Sequence, residues 1–161
     1  MDENAKFEIL RKSPIAANMT DDECRVLATI PNSRILANDE ELLSEGHIDN
    51  SLHVIVEGML AVTKDTGNGD WITLHILRAG DLAGELGFID GRPHSATLRS
   101  VGETTIFTFE RDRLEKVLET SPWMVYRLMQ AIVQAIHEIL RRMNNQHVEL
   151  TNYITKQHGR Y

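Results

Sequence analysis

The apolar and polar positions divide the chain into a helical start, a long run of short strands, and a helical end. Residues Phe7 to Leu10 lie in a short predicted helix that stops before Pro14. A second helix is predicted to begin at Thr20, because Thr20 and Glu23 have the spacing of a capping box, and to end at Pro31. These two helices precede the strand region.

Short strands separated by turns fill the segment from Ser33 to Phe109. Gly58 and the Gly67-Asn68-Gly69 triplet predict tight turns, because glycine and asparagine tolerate positive φ. Between Trp71 and Leu77 apolar and polar residues alternate, which predicts a strand with one apolar face. That face is formed by Ile72, Leu74 and Ile76.

The last two strands are predicted over Ala96 to Val101 and Thr104 to Phe109, as a hairpin that turns at Gly102 and Glu103. Many short strands with turns at regular intervals are typical of a small barrel, roll or sandwich. The sequence therefore predicts a mainly β fold with helices at both ends.

A long helix closes the chain. After a shorter predicted helix from Arg111 to Leu118, Ser121 and Pro122 have the pattern of an N-cap followed by a first-turn proline. Apolar residues then alternate at spacings of four and three, as in a heptad seam with one polar interruption. The seam comprises Val125, Met129, Ile132, Ile136, Ile139, Met143, Gln146 and Leu150.

Two interpretations of this seam are open. It can join two protomers as a two-stranded coiled coil, or it can lie on the strand domain of its own chain. The seam is longer than a barrel of this size covers, which favours a homodimer. Its predicted contacts are Met129, Ile132, Ile136, Ile139 and Met143. We therefore divide the chain into residues 1–120, with the N-terminal helices and strands, and residues 121–161, the dimerisation helix of the same unit.

Composition and charge narrow the function classes. The 161 residues carry a formal net charge of -7, whereas nucleic-acid-binding domains usually have a basic face, so DNA and RNA are disfavoured as partners. No apolar run reaches the roughly 20 residues that span a bilayer, and the acidic N-terminus lacks the apolar core of a signal peptide. These features predict a cytoplasmic protein without membrane contact. Cys24 is the only cysteine, which excludes an internal disulfide and sites built from several thiolates.

The segment from Gly80 to Thr97, GDLAGELGFIDGRPHSAT, carries the candidate chemistry. Its glycines permit close backbone approach, and Gly84 can begin a short helical turn with free N–H groups. The Glu85 carboxylate can accept hydrogen bonds from a sugar hydroxyl, while Ser95 and the amide of Ala96 can donate to a phosphate. These groups together suit a ribose-phosphate ligand.

This segment resembles the phosphate-binding cassette of the cyclic-nucleotide-binding domain family, which includes catabolite activator proteins of the Crp-Fnr type and protein kinase A regulatory subunits. The resemblance extends from about Leu10 to the last helix, and two glycine turns, Glu45-Gly46 and Glu57-Gly58, match it as well. It implies a double-stranded β-helix, that is, a jelly-roll-like β-roll, with N-terminal helices and a long C-terminal helix. It also implies cAMP or cGMP as the candidate ligand, and no cofactor.

The resemblance assigns roles within the cassette. The residues implied to bind ligand are Gly84, Glu85, Leu86, Gly87, Arg92, His94, Ser95 and Ala96. The first four would line the ribose, with Glu85 on the 2′-hydroxyl, and the last two would contact the cyclic phosphate. By the same resemblance, Ile139 and Leu140 of the long helix would lie near the base.

One position departs from the family pattern. Ligand-binding members have an arginine directly before the small-residue pair at the phosphate, and this chain has His94 there. Arginine offers a permanent charge and a planar fork, whereas histidine is shorter and mostly neutral at pH 7. Loss of such a contact predicts binding weaker by about 1.5–3 kcal/mol. Arg92, two residues upstream, is the alternative cation.

Three functions stay open at this point. The first is a stand-alone regulatory domain that senses a cyclic nucleotide with weakened affinity. The second is a degenerate interaction module that keeps the fold and binds no nucleotide. The third is a truncated transcription regulator of the Crp-Fnr type, although only about ten residues follow Leu150, too few for a helix-turn-helix domain.

Enzymatic function is not expected. The sequence has no nucleophile motif, so no catalytic residue is assigned, and it has no His-x-His pair to bind a metal. His47, His53 and His75 are scattered over a turn and two strands. We expect most of these histidines to be surface or half-buried residues.

Overall fold

The computed structural model describes residues 1–158, apart from the side chains of residues 146, 147, 150 and 154–158. Its N-terminal part contains α1 (Glu3–Arg11), a 3₁₀ turn (Pro14–Ala16) and α2 (Asp21–Ala28). The strands are β1 (Asn32–Leu36), β2 (Glu41–Leu43), β3 (Ser51–Glu57), β4 (Met59–Asp65), β5 (Trp71–Arg78), β6 (Leu82–Ala83), β7 (Thr97–Ser100) and β8 (Thr104–Glu110). The remaining helices are α3 (Glu85–Asp90), α4 (Arg111–Leu118) and α5 (Pro122–His158).

The predicted capping box fixes the start of α2. The Thr20 hydroxyl accepts a hydrogen bond from the backbone N–H of Glu23, and the Glu23 carboxylate accepts one from the N–H of Thr20 at 2.8 Å. Two backbone donors at the open end of the helix are thereby satisfied. Cys24, one residue further, is fully buried in the core and acts as a small packing residue.

The strands form two four-stranded sheets that face each other as a roll. One sheet has the order β1-β8-β3-β6 and the other β2-β7-β4-β5, and the paired strands are antiparallel. The predicted mainly β, jelly-roll-like fold with N-terminal helices and a long C-terminal helix is confirmed.

The last two strands do not form the predicted hairpin. Instead, β7 pairs with β2 and β4, whereas β8 pairs with β1 and β3 in the other sheet. The chain crosses between sheets at Gly102, whose φ is 76°. A β-carbon at Gly58, the corner between β3 and β4, would lie 2.6 Å from the carbonyl oxygen of Glu103. The two corners therefore pack closely on each other, and Gly58 has no room for a side chain.

The predicted apolar face of β5 is also wrong, because of a β-bulge. Val62 pairs with His75 but Thr63 pairs with Thr73, so Leu74 is an extra residue that reverses the alternation. Ile76, opposite Ala61, and Ile72, opposite Lys64, therefore face opposite ways and form no common apolar face. Leu74 and Ile72 are about half exposed, while His75 and Leu77 border a cavity.

Two apolar cores stabilise this arrangement. The first fills the interior of the roll and includes Ile55 of β3 and Ile106 of β8. The second lies between the β1-β8-β3-β6 sheet and the helices, and includes Leu52 of β3 and Phe107 of β8. Because side chains alternate along a strand, β3 and β8 contribute to both cores. These two strands therefore connect the interior of the roll with the layer of helices.

The first half of α5 packs within its own chain, chiefly on the 3₁₀ turn, α4 and α2. Ile132 has 0% exposure there and Met129 and Ile136 are partly buried, which corrects the assignment of Ile132 to contacts with a partner. Met143 is 55% exposed, and the side chains of Gln146 and Leu150 lie outside the described residues. The first part of the seam thus packs within its own protomer. Among its described side chains, only Met143 in the later part is mostly exposed to solvent. In the described part of the chain, none of the helices combines the length and apolar character that a membrane span requires.

Candidate ligand-binding site

A cavity of about 380 Å³ opens beside α3, between the roll and α5. This volume is within the range typical of small-molecule sites, about 300–1,000 Å³. The residues predicted to bind ligand all border it: Gly84, Glu85, Leu86, Gly87, Arg92, His94, Ser95 and Ala96. The structure therefore brings these eight residues of the cassette together around one cavity.

The backbone of the cassette follows from its glycines. Gly84 precedes α3 with a φ of 75°, and a β-carbon there would lie 2.8 Å from the carbonyl oxygen of Ser51. Both the φ angle and the close strand favour glycine at this position. Gly91 ends α3 with a φ of 68°. The predicted helical turn is thus held between two left-handed glycines.

Glu85 is the acidic group of the cavity. It begins α3, it is half-buried, and burial raises the pKa of its carboxyl. The hydrogen bond that the carboxylate accepts from its own backbone N–H partly opposes this shift. A carboxylate desolvated in this way gains from a hydroxyl that donates to it. Glu85 is therefore suited to bind a sugar hydroxyl.

His94 lies against α3. A β-carbon at Gly87 would be 2.7 Å from its Cε1 and 3.3 Å from its Nδ1. Its Nε2 atom is buried, with no hydrogen-bond partner among the described residues. Arg92, the other predicted cation, has an 83% exposed side chain and pairs with Asp90 at 3.6 Å. The two residues therefore hold different positions, one packed into the cassette and one in solvent.

The backbone around His94 is tied to the loop that follows β2. The N–H of Gly46 donates to the carbonyl oxygen of His94 at 2.8 Å, and the N–H of His94 donates to that of His47 at 2.9 Å. The Glu45-Gly46 pair thus helps to position the second half of the cassette.

A second histidine lies beneath the cassette. His53 of β3 is only 2% exposed and is the exception to the expectation that most of these histidines are surface or half-buried residues. Its Nδ1 is 3.0 Å from the Thr108 hydroxyl and its Nε2 is 4.0 Å from the Asp49 carboxylate. Burial lowers the pKa of His53 to about 4. The nearby Asp49 carboxylate opposes this lowering, whereas the His94 and Arg34 charges add to it. In the sequence, the feature that could have predicted this burial is the position of His53 between Leu52 and Val54 in an apolar strand.

The far wall of the cavity comes from β5 and α5. Ile139 borders it, whereas Leu140 is 53% exposed on another side of the helix. His75 also borders the cavity, and burial together with the Arg142 charge lowers its pKa. The lining of the cavity thus combines apolar side chains such as Leu77 and Ile139 with the polar side chains of Glu85 and Ser95. Among the described side chains, no cluster of three or more His, Cys, Asp or Glu is placed to bind a metal ion.

Comparison with known proteins agrees with this geometry. The family model described as "Cyclic nucleotide-binding domain" matches residues 33–121, more than half of the chain. The chain belongs to the cyclic nucleotide-binding domain family. Domains of this family are generally regulatory and not enzymatic, and the fold described above is that of a regulatory or sensor domain.

Individual relatives are similar over different lengths. The chain is 30% identical over 101 residues to the cAMP-dependent protein kinase regulatory subunit of Dictyostelium discoideum. This alignment covers 61% of the chain and 31% of that subunit, so the chain spans less than a third of the curated relative's length.

Solved structures share the fold. A cyclic nucleotide-binding domain from Methylobacillus flagellatus KT superposes with a TM-score of 0.81 at 25% identity, over 89% of this chain and 83% of that chain. The catabolite activator protein of Thermus thermophilus superposes with a TM-score of 0.68 at 18% identity, over 83% and 63% of the two chains. The second similarity shows the fold alone.

Proposed function

We propose that this chain is a regulatory module that binds a cyclic nucleotide, cAMP or cGMP, in the cavity beside α3. The observation that carries the proposal is the convergence of all eight residues predicted to bind ligand on one cavity of about 380 Å³. The name of the Dictyostelium relative, a cAMP-dependent kinase regulatory subunit, supports the same ligand class.

The proposed pose follows the polarity of the cavity. Glu85 accepts a hydrogen bond from the ribose 2′-hydroxyl, and Ser95 with the amide of Ala96 donates to the cyclic phosphate. The base lies toward Ile139 of α5. Because His94 packs against Gly87 and carries no permanent charge, we expect weaker binding than an arginine at this position would give.

Regulation acts through α5. The same helix borders the ligand cavity with Ile139 and packs its first half on the 3₁₀ turn, α4 and α2, so occupancy of the cavity biases the position of the helix. We propose that a second copy of the chain covers the outward side of α5. The exposed apolar residues Val133, Leu140 and Met143 are its proposed contacts, with exposures of 63%, 53% and 55%.

A second candidate function rests on one observation. The ring of His94 is packed against α3, and its Nε2 has no hydrogen-bond partner among the described residues. This packing favours a cassette that retains its fold but does not bind a phosphate. In that case the chain is an interaction module that binds no cyclic nucleotide.

Titration of cAMP and cGMP into wild type, Glu85→Gln and Glu57→Gln separates the two functions. Glu57 is exposed at the end of β3, outside the cavity, so its variant removes the same charge without touching the site. The sensor predicts that wild type and Glu57→Gln bind alike and that Glu85→Gln binds at least about tenfold more weakly, since a hydrogen bond to a charged group is lost. Equal binding by all three proteins contradicts the proposed site.

A further inference from the structure

Lys64 lies at the end of β4 beside the second half of the cassette. Its ammonium donates a hydrogen bond to the carbonyl oxygen of Ser95 at 2.8 Å and forms an ion pair with Glu45. Side chains two residues apart on a strand share a face, and Val62, two residues earlier, borders the cavity. The Lys64 ammonium therefore lies on the cavity side of β4, in contact with Ser95, which borders the cavity.

Three other basic groups in or beside the cassette are engaged elsewhere. Arg92 is in solvent beside Asp90, and the His94 ring is packed against Gly87. Arg111 approaches from α4 and donates to the carbonyl oxygens of Gly87 and Phe88. Among the described basic side chains, Lys64 is the one in hydrogen-bond contact with the Ser95-Ala96 segment.

The Lys64 ammonium also keeps a free donor. An ammonium group has three N–H donors. The Lys64 ammonium donates to the Ser95 carbonyl oxygen and to the Glu45 carboxylate, and no third acceptor contacts it in the described part of the chain. One N–H is thus available to an anion placed over Ser95. The Glu45 carboxylate, 33% exposed, competes with that anion for the charge.

We infer that Lys64 contacts the phosphate of the bound ligand and supplies the charge that position 94 lacks, while Glu45 limits the strength of this contact. The inference rests on the proposed function and adds a binding residue to it. A lysine can take this part because its ammonium is a compact point charge on a flexible stem and needs no planar partner geometry.

The inference predicts opposite effects for two neighbouring charge removals. Lys64→Gln weakens cAMP binding about tenfold, the lower end for a charged contact, because solvent screens a side chain that is 43% exposed. Glu45→Gln strengthens binding several-fold, because it releases the ammonium from its competing partner. Lys64→Arg keeps the charge and stays within about threefold of wild type.

Calorimetric titration of the full chain with cAMP, at low and at high salt, tests these effects. Lys12→Gln is the matched control, because Lys12 is exposed at the end of α1, away from the cavity. Urea unfolding checks that each variant keeps the wild-type midpoint. The expected result is weaker binding with a smaller salt dependence in Lys64→Gln alone, and tighter binding in Glu45→Gln.

The remaining outcomes overturn the inference in distinguishable ways. If wild type binds and Lys64→Gln binds equally well, Lys64 does not contact the ligand, and the proposed function stands. If Lys64→Gln and Glu45→Gln both weaken binding, the ion pair between Lys64 and Glu45 only stabilises the structure around the cassette. The inference then fails, while the proposed function stands. If wild type binds neither cAMP nor cGMP, the proposed function and this inference fail together.

Discussion

Gly87 and His94 are in direct contact across the cassette. A β-carbon at residue 87 would lie 2.7 Å from Cε1 of His94 and 3.1 Å from the carbonyl oxygen of Asp49. Gly87 lies inside α3 without a positive φ, so the requirement for glycine comes from the contact and not from the backbone angle. The helix α3, which carries Glu85, is thus packed directly against His94, the residue that replaces the family's arginine.

This contact predicts a non-additive effect of two substitutions. Gly87→Ala should destabilise the chain by about 1–3 kcal/mol, because the new methyl group overpacks the cassette. In the double variant Gly87→Ala/His94→Ala the ring is gone, so a large part of that cost should be recovered. Urea unfolding of the two single variants and the double variant measures the coupling. If the destabilisations of the two single variants sum to that of the double variant, the His94 ring is not what excludes a side chain at residue 87.

His53 predicts how stability depends on pH. Its pKa is lowered to about 4 by burial, whereas the unfolded chain has the ordinary value of 6.5. As the pH falls below 6.5 the unfolded state binds the proton first, so the contribution of His53 to stability is intact above pH 6.5 and is lost progressively down to about pH 4. At pH 5 this loss amounts to about 2 kcal/mol.

Urea unfolding at pH 7.5 and pH 5 measures this loss. The free energy of unfolding should fall less between the two pH values in His53→Gln than in wild type. His137→Gln, which removes an exposed histidine on α5, should behave like wild type. An equal fall in wild type and His53→Gln would assign the pH dependence to other groups.

The outward side of α5 predicts a self-association that charge disrupts. Leu140→Glu together with Met143→Glu should shift the chain from dimer to monomer in sedimentation velocity, because paired carboxylates would be desolvated in the interface. Asn145→Glu is the control, since Asn145 is exposed about 140° around the helix from Leu140. A wild-type monomer at all concentrations, or a dimer that survives the double substitution, contradicts the proposed interface.

Local signals in the sequence were sufficient for much of the fold. The Thr20–Glu23 capping box, the glycine turns and the proline at the start of α5 act within a few residues, and the structure has each of them in place. The cassette was predictable for the same reason, because its glycines and polar residues are contiguous in the chain and border the cavity together.

Features that depend on distant partners were not predictable. The extra residue Leu74 becomes visible only when β5 is paired with β4, and it exchanges the two faces of the strand. The burial of Ile132 depends on how α5 meets the other helices and the roll, which the heptad spacing does not specify. Likewise, Lys64 is 31 residues from Ser95 in the chain, so only the roll reveals their contact.

The central claim is that the cavity beside α3 binds a cyclic nucleotide, and calorimetric titration of the wild-type chain with cAMP, cGMP and adenosine tests it most directly. Adenosine lacks the phosphate that Ser95 and Ala96 are proposed to contact, so it isolates that part of the site. The account predicts saturable binding of one cyclic nucleotide per chain, at least about tenfold tighter than adenosine. Binding of neither cyclic nucleotide at millimolar concentration, or adenosine binding as tight as cAMP, would contradict it.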